Sequence, residues 1–301
     1  VKKMEIAYYP GCTLKTSAKN FESSSIAVAE RLDITFKELS QWNCCGTVYS
    51  LASDDLMKHL APIRVLIRTQ EDNKENSRDN KLVTLCSMCY NTVKMANHLV
   101  KNDEEKLDTI NQFMDEEPDY KADVEVLHFI ELLDEIGLDK IKENTRKSLE
   151  GLNLACYYGC YLLRPEEASI DEDPEAPSIM ERIMEAAGAR TIDYPFKNEC
   201  CGSYLTVTEK NYTAERTYKI ISSAVNNGAE AMVLSCPLCA FNLDRRQKQA
   251  KDLHAGMKSI PIFYFTQLLG LAFGISSKEL GFDMHYVDPK PLLKEKGLIK
   301  R

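Results

Sequence analysis

The chain has 301 residues, 44% of them hydrophobic and 28% charged, the make-up of a soluble globular protein long enough for one large domain or two. Acidic residues outnumber basic ones 46 to 38, for a net charge of -8, which removes the electrostatic case for a nucleic-acid partner. The longest apolar stretch, Ile260–Phe265 with Leu268–Ile275 behind it, is interrupted by Thr266 and Gln267 and is too short to span a bilayer. The first residues include Lys2 and Lys3 but no long apolar segment of the secretory kind, so a cytoplasmic chain with no membrane partner is expected.

Along the chain, apolar runs alternate with amphipathic ones. The short apolar stretch within Val1–Ala7 reads as a strand with Gly11-Cys12 following it, and Ala18–Leu32 reads as a helix. Asp54–Thr69 is a second helix, followed by the polar stretch Thr69–Asn80, a solvated loop or a helix end running into one. Leu82–Leu85 and Val124–Leu127 are strands. The charged stretch Lys140–Glu150 marks a boundary and divides the chain into domains 1–145 and 146–301. In the second part, Arg164–Pro177, with its prolines and acidic residues, reads as a surface insertion. Met180–Ala187 and Lys210–Asn226 are helices, Ala231–Leu234 and Ile260–Phe263 are strands, and Tyr286–Leu293 is an extended, Pro-punctuated tail. The expected fold is therefore α/β: two tandem homologous α/β domains with parallel sheets.

Ten of the eleven cysteines form two copies of one motif. The first is Gly11-Cys12, Cys44-Cys45-Gly46 and Cys86-x-x-Cys89; the second is Gly159-Cys160, Cys200-Cys201-Gly202 and Cys236-x-x-Cys239. The lone Cys and the Cys-x-x-Cys pair follow predicted strands, which puts them at carboxyl ends, where open α/β sheets place their sites. A reducing compartment disfavours a disulfide framework, and five thiols exceed what a tetrahedral zinc site uses. Iron–sulfur chemistry suits soft thiolates converging from several segments. Adjacent cysteines point to opposite sides of a regular strand, so both can face one centre only at a turn, which Gly46 and Gly202 permit. The fifth thiol leaves two options open, an unusual cluster with a bridging cysteine or a labile ligand. Cys156 aligns with Tyr8 and reads as a core thiol.

His59, His98, His254 and His285 do not recur between the copies and read as structural. His128 follows a predicted strand where Tyr264 stands in the second copy, a placement suited to proton donation. No Gly-rich phosphate loop follows any strand, so electrons are expected from a protein partner.

This duplicated pattern resembles the cysteine-rich CCG family, and within it the B subunits of heterodisulfide reductase from methanogenic archaea. The likeness covers nearly the whole chain. It implies two noncubane [4Fe-4S] clusters, one held by Cys12, Cys44, Cys45, Cys86 and Cys89, the other by Cys160, Cys200, Cys201, Cys236 and Cys239. It implies reduction of the coenzyme M–coenzyme B heterodisulfide to two thiols. The partners would be an iron–sulfur C subunit, a flavin-containing A subunit of an electron-bifurcating complex, and hydrogenase or formate dehydrogenase modules. On that basis the substrate is expected between the two clusters, each giving one electron, with Cys45, Cys201 and His128 as catalytic residues. Its anionic groups call for nearby cations, for which Lys15, Lys94, Arg164 and Lys197 are the candidates. The competing functions are an electron-relaying CCG subunit of a sulfur-oxidation or hydroxyacid dehydrogenase complex, and a structural zinc protein.

Overall fold

A computed structural model describes residues 3–47 and 55–300. Its frame is a pair of four-stranded, all-parallel sheets with the same strand order. In the first, β1 (Met4–Tyr9) lies between β2 (Ile34–Glu38) and β3 (Lys81–Thr84), with β4 (Glu125–His128) outside β3. In the second, β5 (Asn153–Cys156) lies between β6 (Arg190–Thr191) and β7 (Ala231–Leu234), with β8 (Ile262–Tyr264) outside β7. The expected tandem α/β architecture is thus present twice. Parallel strands covered on both faces need apolar residues at consecutive positions, and all four residues of β7 are buried.

The helices cover these sheets. They include α1 (Gly11–Leu14), α2 (Lys19–Arg31), α3 (Leu60–Glu75), α4 (Ser87–Lys101), α5 (Glu104–Phe113), α6 (Phe129–Glu135) and α7 (Leu138–Asn144) in the first half. The second half has α8 (Ile179–Ala186), α9 (Lys210–Asn226), α10 (Pro237–Ala240), α11 (Gln247–Leu253), α12 (Phe265–Ala272) and α13 (Lys290–Glu295). At β4 and β8 the helix start is built alike: Glu131 Oε2 accepts from His128 N at 2.7 Å, and Gln267 Oε1 accepts from Tyr264 N at 3.0 Å. Each N3 side chain thereby satisfies a backbone donor at the helix N-terminus.

The halves share one core. Helix α2 of the first packs on α12 of the second: Phe21 stacks on Tyr264 with centroids 4.2 Å apart, and the Ser24 and Thr266 hydroxyls lie 2.7 Å apart. Phe129 and Phe265 meet across the same joint at 6.0 Å.

Two expected segments differ. The helix expected over Asp54–Thr69 begins outside the described residues; within them a 3-10 turn, Leu56–His59, leads into α3, which continues to Glu75. Of the two readings of Thr69–Asn80, the helix end running into a loop is the one present, and polar Gln70 and Asn73 are buried in it because backbone groups satisfy them: Gln70 bonds Asp119 O and Lys121 N, and Asn73 bonds Lys81 O. The tail is not extended throughout, because Lys290–Glu295 is helical and buries Leu293.

Candidate thiol site

Each motif gathers at the carboxyl end of its sheet. The lone cysteine opens a turn after the central strand, the Cys-x-x-Cys pair starts a helix after the next strand, and the Cys-Cys-Gly loop closes over them. All four motif glycines adopt positive φ: Gly11 +67°, Gly46 +73°, Gly159 +66° and Gly202 +79°. A Cβ on Gly11 would stand 2.8 Å from Cys89 Sγ, so the missing side chain is what admits that thiol.

The Cys-Cys-Gly loops are held by matching contacts. Tyr9 Oη donates to Asn43 O at 2.8 Å, and Tyr157 Oη donates to Glu199 O at 2.6 Å; each carbonyl immediately precedes the cysteine pair. From the third position after each Cys-x-x-Cys, Thr92 bonds Thr47 Oγ1 at 2.8 Å and Asn242 Nδ2 donates to Cys201 O at 3.3 Å. Sequence reasoning missed these four residues. The tyrosines were recoverable from the repeat register, where they occupy equivalent positions; Thr92 and Asn242 share a position but not a side chain.

All eleven cysteines are free. The Sγ atoms lie 4.0 Å apart for Cys12 and Cys44, 3.6 Å for Cys45 and Cys89, and 3.4 Å for Cys201 and Cys239. Cys160 and Cys200 are hydrogen-bonded to each other, and so are Cys86 and Cys236, which join the two copies. Among the described residues no three His, Cys, Asp or Glu side chains are arranged to hold a metal ion. The expectation of two noncubane [4Fe-4S] clusters is corrected accordingly. The contacts run on from thiol to thiol, Cys44–Cys45–Cys89–Cys86–Cys236–Cys239–Cys201, across both copies, and do not surround two centres. The alternative of a structural zinc site meets the same finding.

The linked thiols are electrostatically asymmetric. The Cys160 thiol donates to Cys200, and with the backbone N–H groups of Gly202 and Ser203 and nearby Arg216 it holds Cys200 at about 6, against the opposing effect of burial. The same bond, with burial, pushes Cys160 up. In the first copy Cys44 is pushed up by its bond to Cys45, and Cys45 is drawn well down by bonds from Cys44 and Cys89. Cys12, Cys44 and Cys200 are exposed and Cys160 is half-buried, whereas the expected catalytic residues Cys45 and Cys201 are buried behind them. An opening of about 310 Å³, lined by Cys200, Tyr204, Leu205, Tyr212 and Arg216, leads to Cys200. A cavity of only about 10 Å³, lined by Ser87 and Met88 of the first copy and by Cys160, Cys201, Cys236 and Cys239 of the second, lies beside the second motif.

His128 is buried, with Nε2 2.8 Å from Leu85 O and Nδ1 accepting from Ile130 N at 3.1 Å. Burial lowers it to about 4. Both ring nitrogens are engaged with backbone, so the neutral ring caps α6 and fixes the Leu85 carbonyl beside Cys86, in place of the proton delivery expected of it. Cys156 is fully buried, which pushes its thiol up, and lies in β5. His254 bonds Glu215 at 2.5 Å and His98 contacts Asn102. All four candidate cations are in ion pairs: Lys15 with Glu22 and Glu38, Lys94 with Glu131, Arg164 with Glu175, and Lys197 with Glu181 and Asp193.

A duplicated parallel α/β fold with a Cys-Cys-Gly loop at each sheet defines a protein of paired cysteine-rich domains. The family model described as the cysteine-rich (CCG) domain matches residues 6–94 and 154–244. The chain belongs to this CCG family, with B-type subunits of heterodisulfide reductase among its relatives. It is 30% identical over 289 residues to the 8-methylmenaquinol:fumarate reductase membrane anchor subunit of Wolinella succinogenes, covering 96% of this chain and 99% of that one. It is also 30% identical over 288 residues to the B subunit of the ferredoxin/F420H2-dependent CoB-CoM heterodisulfide reductase of Methanosarcina acetivorans, covering 94% of each. A protein of Archaeoglobus profundus described as like the B subunit of heterodisulfide reductase is 26% identical over 280 residues, covering 90% of this chain and 91% of that one. Among solved structures, a hypothetical protein from Helicobacter pylori superposes with a TM-score of 0.72 over 94% of this chain at 13% identity, which speaks to fold alone. This chain spans about half (51%) of that one. Among the described residues no helix is long and apolar enough to cross a membrane.

Proposed function

We propose that this chain is the cysteine-bearing, electron-transferring subunit of an oxidoreductase complex, and that its specific reaction is reduction of the coenzyme M–coenzyme B heterodisulfide. The observation that supports this most strongly is Cys200. It is an exposed thiol whose bond from Cys160 favours the thiolate at neutral pH, at the end of an opening with apolar walls at Tyr204, Leu205 and Tyr212 and the Arg216–Glu199 ion pair beside it. Sulfur substrates meet sulfur at such a site, and the thiolate is the reactive form. The S–S bond breaks as two electrons arrive from a partner protein and two protons from solvent, giving two thiols. An iron–sulfur C subunit and a flavin-containing A subunit would deliver the electrons from hydrogenase or formate dehydrogenase modules. The similarity to the Methanosarcina acetivorans protein over 94% of both chains supports this assignment. The test is turnover of the heterodisulfide by the anaerobically purified complex with reduced viologen as donor, in wild type and in Cys200→Ser.

A second reading has its own support. The Wolinella succinogenes relative, matched over 99% of its length, is a subunit of a methylmenaquinol:fumarate reductase. On that reading this chain passes electrons from a quinol toward fumarate. Dependence of quinol-driven fumarate reduction on this chain, with no heterodisulfide turnover, would select it.

A further inference from the structure

The cations expected to bind an anionic substrate are all neutralised by carboxylates, but a different cluster is not. Among the described residues, Arg245, Lys248 and Lys251 have no ion pair, and Arg246 bonds only neutral partners, Thr206 and Gln249. In a chain of net charge -8, these four cations border one cavity of about 470 Å³ on the second unit. Two carboxylates also border it, Asp244 and Asp252. Asp244 is turned inward, where its oxygens accept from Tyr286 N at 2.8 Å and Val287 N at 2.9 Å. That leaves Asp252 as the exposed acid against four cations.

The cavity is a built feature of the fold. Directly after the Cys236-x-x-Cys239 helix the chain makes a π-turn, Phe241–Arg245, a feature that recurs at functional sites. Asp244, within that turn, pins Tyr286, and the Arg245 guanidinium then lies 5.1 Å from the Phe241 ring and 5.4 Å from the Tyr286 ring. Rings on the guanidinium hold it in place by cation–π attraction while its N–H edge stays available. Arg246 is fixed by its bonds to Thr206, and burial and Arg245 both lower it. Two adjacent guanidinium groups held without a countercharge repel each other, and an anion between them and the lysines relieves that repulsion.

We propose that this cavity binds a phosphate-bearing anion through Arg245, Arg246, Lys248 and Lys251. Four cations call for a multiply charged group, and guanidinium edges match phosphate oxygens in pairs. The phosphate could belong to a free diphosphate or to the headgroup of an anionic lipid. This site is separate from the opening at Cys200 and does not depend on the reaction proposed there.

Calorimetric titration of the full chain with inorganic pyrophosphate tests the soluble source. Co-sedimentation with phosphatidylcholine vesicles, with and without phosphatidylglycerol, tests the lipid source. We expect saturable binding in at least one arm, weakened about tenfold or more by the double variant Arg245→Gln/Lys248→Gln. Lys278, exposed and outside this cavity, is the control: Lys278→Gln should bind as wild type, and matched thermal unfolding of both variants shows that the fold is kept. Pyrophosphate binding without vesicle binding assigns a free diphosphate; phosphatidylglycerol-dependent sedimentation reversed by pyrophosphate assigns the headgroup. Absence of binding in both arms, or undiminished binding by the double variant, overturns the proposal.

Discussion

The hydroxyls of Ser87 and Ser235 lie 2.8 Å apart although they are 148 positions apart in sequence, and both are buried. Ser87 follows Cys86 and Ser235 precedes Cys236, so this bond stands beside the Cys86–Cys236 pair that joins the two cysteine motifs. Replacing one serine by alanine leaves the other hydroxyl buried without its partner, at a cost of about 1–3 kcal/mol. In a denaturant double-mutant cycle, Ser87→Ala/Ser235→Ala is predicted to lose less stability than the two single variants together. Strict additivity would show that the bond does not couple the halves.

Gly11 gives a second stability prediction. Gly11→Ala meets both a positive φ and the Cys89 sulfur 2.8 Å away, whereas Gly228→Ala meets a positive φ but open space. Gly228→Ala should cost about 1–2 kcal/mol, and Gly11→Ala about 1–3 kcal/mol more, since strain and a steric clash then act together. Equal midpoints in denaturant for the two variants would contradict the close approach of Cys89.

Thiol reactivity separates the two copies. With Cys200 held at about 6 and Cys44 pushed up, iodoacetamide at pH 7 should label Cys200 before Cys44, although both are exposed. Cys160→Ala removes the bond that lowers Cys200 and should slow its labelling severalfold at pH 6. Peptide mapping by mass spectrometry reads both outcomes; faster labelling of Cys44 would reverse the assigned asymmetry.

His128 predicts a pH dependence of stability. Its folded value is about 4 against an ordinary 6.5, so between those values the unfolded chain takes up a proton that the native chain does not. Stability therefore falls as pH drops through that window, by roughly 3 kcal/mol from this residue. Asp244, raised to about 6 by burial, has the opposite sign: its stabilisation is full at low pH and is lost as pH rises toward 6. The two are separated by comparing wild type with His128→Asn, which keeps a capping side chain. The difference between their stability–pH curves should slope between pH 4 and 6.5 and be flat above it. A flat difference throughout would mean that the ring is not held neutral by burial.

The sheets were legible because parallel strands covered on both faces need unbroken apolar runs, as Ala231–Leu234 shows, and because the cysteines recur in register. Edge strands were not, since β6 has two residues and no pattern of its own. The motif glycines were legible from the turns that adjacent cysteines demand. The pairing of the thiols was not, because it depends on side-chain rotation between loops as distant as Cys12 and Cys44. Nor was the neutralisation of Lys94 or Lys197, whose partners Glu131 and Glu181 are brought near by tertiary packing. The burial of Asn73 was not legible either, because its polar side chain gives no hint that Lys81 O will satisfy it.

The most direct test of the central claim is the rate of coenzyme M–coenzyme B heterodisulfide reduction by the anaerobically purified complex containing this chain, driven by reduced viologen. The account predicts turnover that requires this chain and falls at least about tenfold in Cys200→Ser, a barrier increase of about 1.4 kcal/mol or more. No turnover with the chain present, or a rate indifferent to Cys200, would contradict it.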